Sequence, residues 1–448
     1  GNLHFFFFGK KKKGGVKTIS FLFYFMQEFD SDLHYHSPFS GGVSKNMLIP
    51  IIAEQAELKG LHLLSSADCL NGPWIKHLKQ NLTEEENGLF KSKEKNVFFV
   101  LGTEVQCSDR VHHIIFLPDF NAIEEVRKKF SNYTRELDSV MGGRPRLKLN
   151  AEKIAEIVFD AKGLIGPAHA FTPYFGVYAY FDSVKKAYGE QGKKISFIEL
   201  GLSADSFLAD KIPENREYIF LSNSDSHSPW PFRLGREFNR IKLKEPSFKE
   251  LKKALEEKEE KRIVLNAGLN PKEGKYHKTA CSSCYSKYSL QEAEGIKWKC
   301  TECGKEIKRG VIERIEMLSD KKNLKPDFRP DYLHLLPLQE IIQHSVKIKL
   351  ITSPKIQLLW KKFVERFDSE INVLVDEPIE NLTEVDKDIA ESIECFRKGL
   401  VLFEEGGGGK YGKPIICRNE KEFEKKKFEL EQKEKKVFAS RQKKLSEF

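Results

Sequence analysis

From Ser31 to about Gly268, short apolar runs alternate with stretches of helical periodicity. Strand-like runs fall at 61–66, 96–105, 112–118, 163–170, 195–202, 218–227 and 262–268, and helical patterns at 49–59, 121–130, 151–161, 181–188 and 247–258. Such an alternation implies βα units on a parallel sheet, of which a closed barrel is one form. Asp68, Glu104, His169, Glu199, Asp225 and His227 lie at or just after the ends of these runs, the rim that carries the active site in α/β barrels. Upstream, "DLHYHSPFS" places His34 and His36 two residues apart. On extended backbone both rings project to one face. A lone HxH is an ordinary polar strand end. Joined to His112, His113 and the rim residues, it becomes a set of imidazoles and carboxylates suited to zinc, manganese or iron(II). Burying so many unpaired polar groups is costly, and bound cations would satisfy them.

The chain has 448 residues, enough for two or three domains, and a net charge of +9 that favours an anionic partner. Of its eight cysteines, Cys281, Cys284, Cys300 and Cys303 form C-x2-C-x15-C-x2-C, the spacing of a structural zinc site. Cys69, Cys107, Cys395 and Cys417 are scattered, which points to a reducing, intracellular compartment rather than a disulfide framework. Lys299, Lys305, Lys308 and Arg309, with Tyr285, Tyr288 and Trp298, surround the four cysteines. Cations interleaved with aromatics suit a nucleic-acid backbone and its bases, although the aromatics also serve as the module's own small core. Farther on, helical patterns return between about 328 and 400. There Lys361, Lys362, Arg366 and Arg397 are candidate phosphate contacts, and Trp360 reads as core. "GGGGKYG" (406–412), which contains Lys410, either brings amides to a phosphate or is a flexible loop. Residues 1–25 fit neither a signal peptide nor a membrane span, and Met26 is the expected functional start.

The phrases "DLHYHS", "GTEV…HHIIF", "GPAHA" and "SNSDSHS" together resemble the PHP (polymerase and histidinol phosphatase) superfamily. "SFIELGLSADS", "RLGREFNRI", "IVLNAGLNPKEGKYHKTAC" and "GGGGKYG" narrow the likeness to its endonuclease Q family, from about Asp32 to Gly412. The resemblance implies a distorted (β/α)7 barrel over 26–270, a zinc module over 271–315, a helical DNA-binding domain over 316–415 and a charged tail over 416–448, with 1–25 as an extension. It further implies two or three divalent ions. His34, His36, Glu104 and Asp225 would hold the first. Glu104 would bridge to a second on His113 and His169, with His113 chosen because it directly precedes the Ile114–Ile115 pair. Asp68 and His227 remain for a third, whose other usual ligands are replaced by Gly41 and Cys69. Asp32 is expected behind a ligand histidine, and Asp225 beside the attacking water with Glu104 and His36.

The implied activity is cleavage of DNA 5′ to uracil, hypoxanthine or xanthine, with abasic sites as a further substrate. Glu199 and Ser203 would line the base pocket, and Lys299, Lys305, Lys308, Arg309 and Lys410 would contact DNA. The partners would be double-stranded DNA and a sliding clamp, in the cytoplasm at the nucleoid and away from membrane. Two alternatives follow from the same residues: a phosphoesterase of small molecules, or a non-catalytic zinc-dependent DNA-binding protein.

Overall fold

The computed structural model describes residues 26–85, 88–322 and 324–445; the expected extension over 1–25 lies outside them. We number the barrel strands β1 (Gln27–Asp32), β2 (Leu63–Ser65), β3 (Phe98–Gln106), β4 (His112–Leu117), β5 (Leu164–Pro167), β6 (Phe197–Glu199), β7 (Ile219–Leu221), β8 (Phe238–Leu243) and β9 (Ile263–Gly268). The expected apolar runs all become strands. The expected helices form at Ile49–Lys59, Phe120–Phe130, Ala151–Asp160, Val184–Tyr188 and Phe248–Glu256. A helix at Gly72–Asn81, capped by the Asn71 side chain, was not expected.

Strand direction departs from the parallel sheet read in the sequence. β1, β2 and β3 pair in parallel, as do β6 and β7. β4 runs antiparallel to both β3 and β5, and β8 antiparallel to both β1 and β9. Side-chain and loop bonds close the ring. The Ala170 amide donates to Glu199 O (2.8 Å), and Asn266 Nδ2 on β9 donates to Phe220 O on β7 (3.0 Å). The result is a distorted α/β barrel.

Period-two alternation sorts its residues. Leu64, Phe99, Leu101, Ile115 and Leu117 join a cluster with helix residues such as Ile52, Ala56, Ile123, Val126, Ile154 and Val158. Their neighbours Leu63, Val100, Ile114, Phe116 and Leu164 join Phe197 and Leu221 in a second cluster on the opposite strand face.

After the barrel, a two-stranded hairpin (Ala280–Cys281 with Ile307–Lys308) carries the four-cysteine module. Its small core is Tyr288, Ala293 and Ile307, with Ile296 and Trp298 packed against it. The chain then returns to the barrel, where Asp331–His334 pairs in parallel with β9. Helices Leu338–Val346, Pro354–Phe367 and Lys387–Arg397 follow, with a hairpin Val401–Glu404/Lys413–Ile416 and a helix Glu420–Leu445. No helix among the described residues is long and apolar enough to cross a membrane.

Candidate metal centre

β1 ends at Asp32, and the chain runs on extended through Tyr35, whose neighbour His36 donates its amide to Ser226 O (3.0 Å). His34 and His36 therefore project together, with ring centroids 5.3 Å apart. His36 Nε2 lies 3.2 Å from Asp225 Oδ1 and 3.4 Å from Glu104 Oε2. His34 Nε2 lies 3.7 Å from Asp225 Oδ1 and 3.8 Å from Glu104 Oε1. His34 Nε2, His36 Nε2 and Asp225 Oδ1 are all buried and make no hydrogen bond. Three buried, unpartnered donor atoms around one point fit a cation, because leaving them unsatisfied is costly.

Glu104 faces a second group through its other side. Its Oε1 is 2.8 Å from His112 Nδ1 and 2.9 Å from His169 Nε2, and these two nitrogens are 3.4 Å apart. His112 takes the place expected for His113. On β4, His112 shares parity with Ile114 and Phe116, on the strand face where Glu104 lies with Val100. His113 shares parity with Ile115 and Leu117, faces the helix layer, and pairs its Nδ1 with the Tyr188 hydroxyl at 2.6 Å. The strand is buried along its whole length, so its apolar pattern carries no parity signal.

Two further placements differ from expectation. Glu199 does not line an open pocket. It is fully buried, its oxygens lie 3.0 Å from His34 Nδ1, and it accepts from the His169 amide (2.7 Å) and Asn223 Nδ2 (2.8 Å). Asp68 is likewise saturated, by His36 Nδ1 (3.1 Å), the Ser37 amide (2.8 Å) and the Ser37 and Ser40 hydroxyls (2.5 and 2.9 Å). It orients His36 instead of offering a free oxygen to a third ion. Asp32 bonds the amides of His34, Ser224 and Gly235, tying together the loops that carry His34 and Asp225. His227 stands at the half-exposed edge, 3.9 Å from Asp225 Oδ1. Ser203 sits half-exposed in the loop after β6, and Asp205, not Ser203, caps the helix that follows.

Arg144 escaped the sequence reading. Its guanidinium lies 3.1 Å from Glu104 Oε2 with a third of the side chain exposed. Nothing about "GGRPR" marks it, because the loop reaches the rim only through the tertiary fold.

The fields inside the cluster are strong. Burial pushes the His34 imidazole down, but the Glu199, Asp225 and Glu104 carboxylates outweigh it and raise it to about 9. Burial pushes the Glu104 carboxyl up, yet His112, His169 and His36 hold it well below the usual range. His113, outside the cluster, is pushed by burial down to about 3. Asp68, His169 and Asp225 also hold left-handed backbone (φ 39°, 30° and 47°), a strain that clusters at functional sites.

Elsewhere, the thiols of Cys281, Cys284, Cys300 and Cys303 lie within 4.8 Å of one another. Arg309 lies over the Trp298 ring, and Lys410 over Tyr285. Lys308 pairs with Glu306; Lys299 and Lys305 lie in the same module. Trp360 is core, as read, and bonds Glu370. Arg397 is no phosphate contact, since it donates to the carbonyls of Val373, Leu374 and Glu377. The glycine-rich segment directs several of its amides into the fold. The amides of Gly406, Gly409 and Gly412 donate to the carbonyls of Lys272, Lys275 and Glu273, and a Cβ on Gly408 would come within 2.2 Å of Cys281 O.

The MJ0043 C-terminal domain family matches residues 337–400. The uncharacterized protein MJ0043 of Methanocaldococcus jannaschii is 46% identical over 250 residues, covering 55% of this chain and 31% of that protein, so the chain spans about a third of that relative's length. The uncharacterized protein YqxK of Bacillus subtilis is 30% identical over 87% of this chain and 99% of its own. Among solved structures, the lesion-specific endonuclease PfuEndoQ of Pyrococcus furiosus superposes with a TM-score of 0.83 at 47% identity, over 87% of this chain and 96% of that one. An endonuclease Q bound to a 27-mer duplex with an abasic lesion gives 0.80 at 46%, over 87% and 97%. On this evidence the chain belongs to the endonuclease Q family.

Proposed function

We propose that this chain is a metal-dependent DNA endonuclease that cuts on the 5′ side of damaged nucleotides, both deaminated bases (uracil, hypoxanthine, xanthine) and abasic sites. The observation that carries the reading is the convergence of His34 Nε2, His36 Nε2 and Asp225 Oδ1, buried and unpartnered, beside Glu104. His34, His36, Glu104 and Asp225 would hold one divalent ion, and Glu104, His112 and His169 a second, with zinc, manganese and iron(II) all suited to these donors. When bound, such a pair activates water and stabilises the entering and leaving oxygens of a displacement at phosphorus. The chain's own residues set the geometry. Glu199 and Asp68 lock the His34 and His36 rings, and Arg144 presents a fixed positive charge at the rim for a phosphate oxygen.

The four thiols suit one structural zinc. Lys299, Lys305, Lys308, Arg309 and Lys410 supply charge for the DNA backbone. A lesion within a duplex must be extruded to reach a buried centre, and Ser203, in the half-exposed loop after β6, would line its pocket. The test is a labelled duplex with a single uracil or abasic analogue, incubated with each metal and then with EDTA. A metal-dependent nick 5′ to the lesion is expected. Binding without a nick in any metal would overturn the reading in favour of a non-catalytic DNA-binding protein.

A further inference from the structure

Beside the metal centre, three distant segments bring aromatics and cations onto one surface. The loop 172–175 is pinned to the centre at both ends. His169 Nδ1 pairs with Thr172 Oγ1 at 3.0 Å. The His112 amide donates to Phe175 O (2.9 Å), and the two rings stack at 4.3 Å. Between those anchors stands Tyr174, 43% exposed. Its ring meets Tyr276 edge-on at 5.5 Å, from the segment leading into the four-cysteine module. Lys275 Nζ sits between Tyr276 and Tyr411, 5.4 and 5.8 Å from the two ring centroids. Tyr411, 67% exposed, belongs to the glycine-rich segment.

The glycines account for that placement. Gly406 to Gly412 lies against 272–275 through backbone bonds. A Cβ on Gly406 would come within 2.3 Å of Gly274 O, and one on Gly412 within 2.3 Å of Lys272 O. Lys410 and Tyr411 carry the only side chains of the segment, and both are exposed.

Tyr174 and Tyr411 are exposed and Lys275 and Tyr276 half-buried, so three segments far apart in sequence present rings and a cation on one surface. We infer that Tyr174, Lys275, Tyr276 and Tyr411 form a stacking platform for unpaired DNA bases, and that it holds the strand opened next to the lesion. Aromatic faces stack on any base, and the interposed cation meets the phosphate backbone. A closed duplex offers this surface phosphates but no base faces, so the platform distinguishes opened from paired DNA. The inference rests on the proposed endonuclease reading, which makes strand opening necessary.

The test uses the full zinc-loaded chain with two undamaged, fluorescein-labelled probes, an oligothymidylate of about fifteen nucleotides and a duplex of the same length. Tyr276→Ser with Tyr411→Ser is expected to weaken oligothymidylate binding about tenfold and duplex binding less than about twofold, consistent with the usual contribution of base stacking. Lys275→Gln should lower the salt slope on the single strand by about 0.7. Phe428→Ser, an exposed ring on another element, serves as a neutral control. Zinc content and melting temperature verify folding, and Tyr411→Ser alone carries the test if the double variant misfolds. Unchanged oligothymidylate binding, or equal losses on both probes, would overturn the platform. Because neither probe holds a lesion, that failure is separate from the wild-type nicking assay, which alone decides the endonuclease reading.

Discussion

His112 and His113 are adjacent and equally buried, yet they face opposite sides of β4. His112→Ala should cost at least about 100-fold in nicking and remove bound metal from the barrel, the loss expected when a metal-site residue is deleted. His113→Asn breaks the pairing with Tyr188, so it should lower the melting temperature while the metal count stays unchanged. Counting metals in both purified variants decides the assignment; loss of metal from the His113 variant alone would reverse it. Glu199→Gln gives a second check. It keeps the shape but removes the charge beside His34 Nδ1, so metal affinity should fall about 10–100-fold. A base-pocket role would instead change lesion preference at constant metal content.

At the scale of elements, two buried carboxylates join pieces of the fold. Glu370 accepts from Lys59 Nζ (2.6 Å) on the helix Ile49–Lys59, from Trp360 Nε1 (2.6 Å) and from the Leu338 amide (3.0 Å). Lys59 and Glu370 are both fully buried. Glu370→Ala would strand the ammonium and cost about 3–5 kcal/mol, which denaturant unfolding will measure. Glu237, just before β8, is the other case. Burial pushes its carboxyl up to about 8, against a smaller opposing effect of Arg236. Between pH 4.5 and about 8 the folded chain therefore keeps a proton that the unfolded chain releases. Its contribution to stability is full below pH 4.5 and is lost as pH rises through about 8. Glu237→Gln should flatten that part of the stability–pH curve and raise the melting temperature most at alkaline pH. An unchanged slope would show that Glu237 is ionised in the fold.

For the molecule as a whole, the four-cysteine module is the piece with the smallest apolar core, three buried side chains besides its cysteines. Metal binding supplies folding energy in modules of this size. Cys284→Ser should lose about one zinc per chain by metal analysis and weaken DNA binding, while the barrel keeps its own ions. The module meets the barrel through helix Val311–Leu318, where Arg314 donates to Tyr178 O (2.9 Å), Phe181 O (3.1 Å) and Asp182 Oδ1 (2.6 Å). Loss of its zinc should therefore disturb lesion cleavage more than metal retention in the barrel.

Local spacing is enough to tell which residue types gather and at which element ends. Spacing and chemistry are local, and "DLHYHS", Glu104, His169, Asp225 and the CxxC pairs carry them without reference to the rest of the chain. The same locality made the barrel's apolar runs legible, and five of its helices. The tertiary structure alone decided the rest. β4 is buried on both faces, so nothing local distinguishes His112 from His113; only its register against β3 does so. Glu199 and Asp68 look like any rim carboxylate until the ring closes and aims them at His34 and His36. Arg144 and Tyr411 take their places through contacts between segments far apart in sequence, and no periodicity within one segment can encode such a contact.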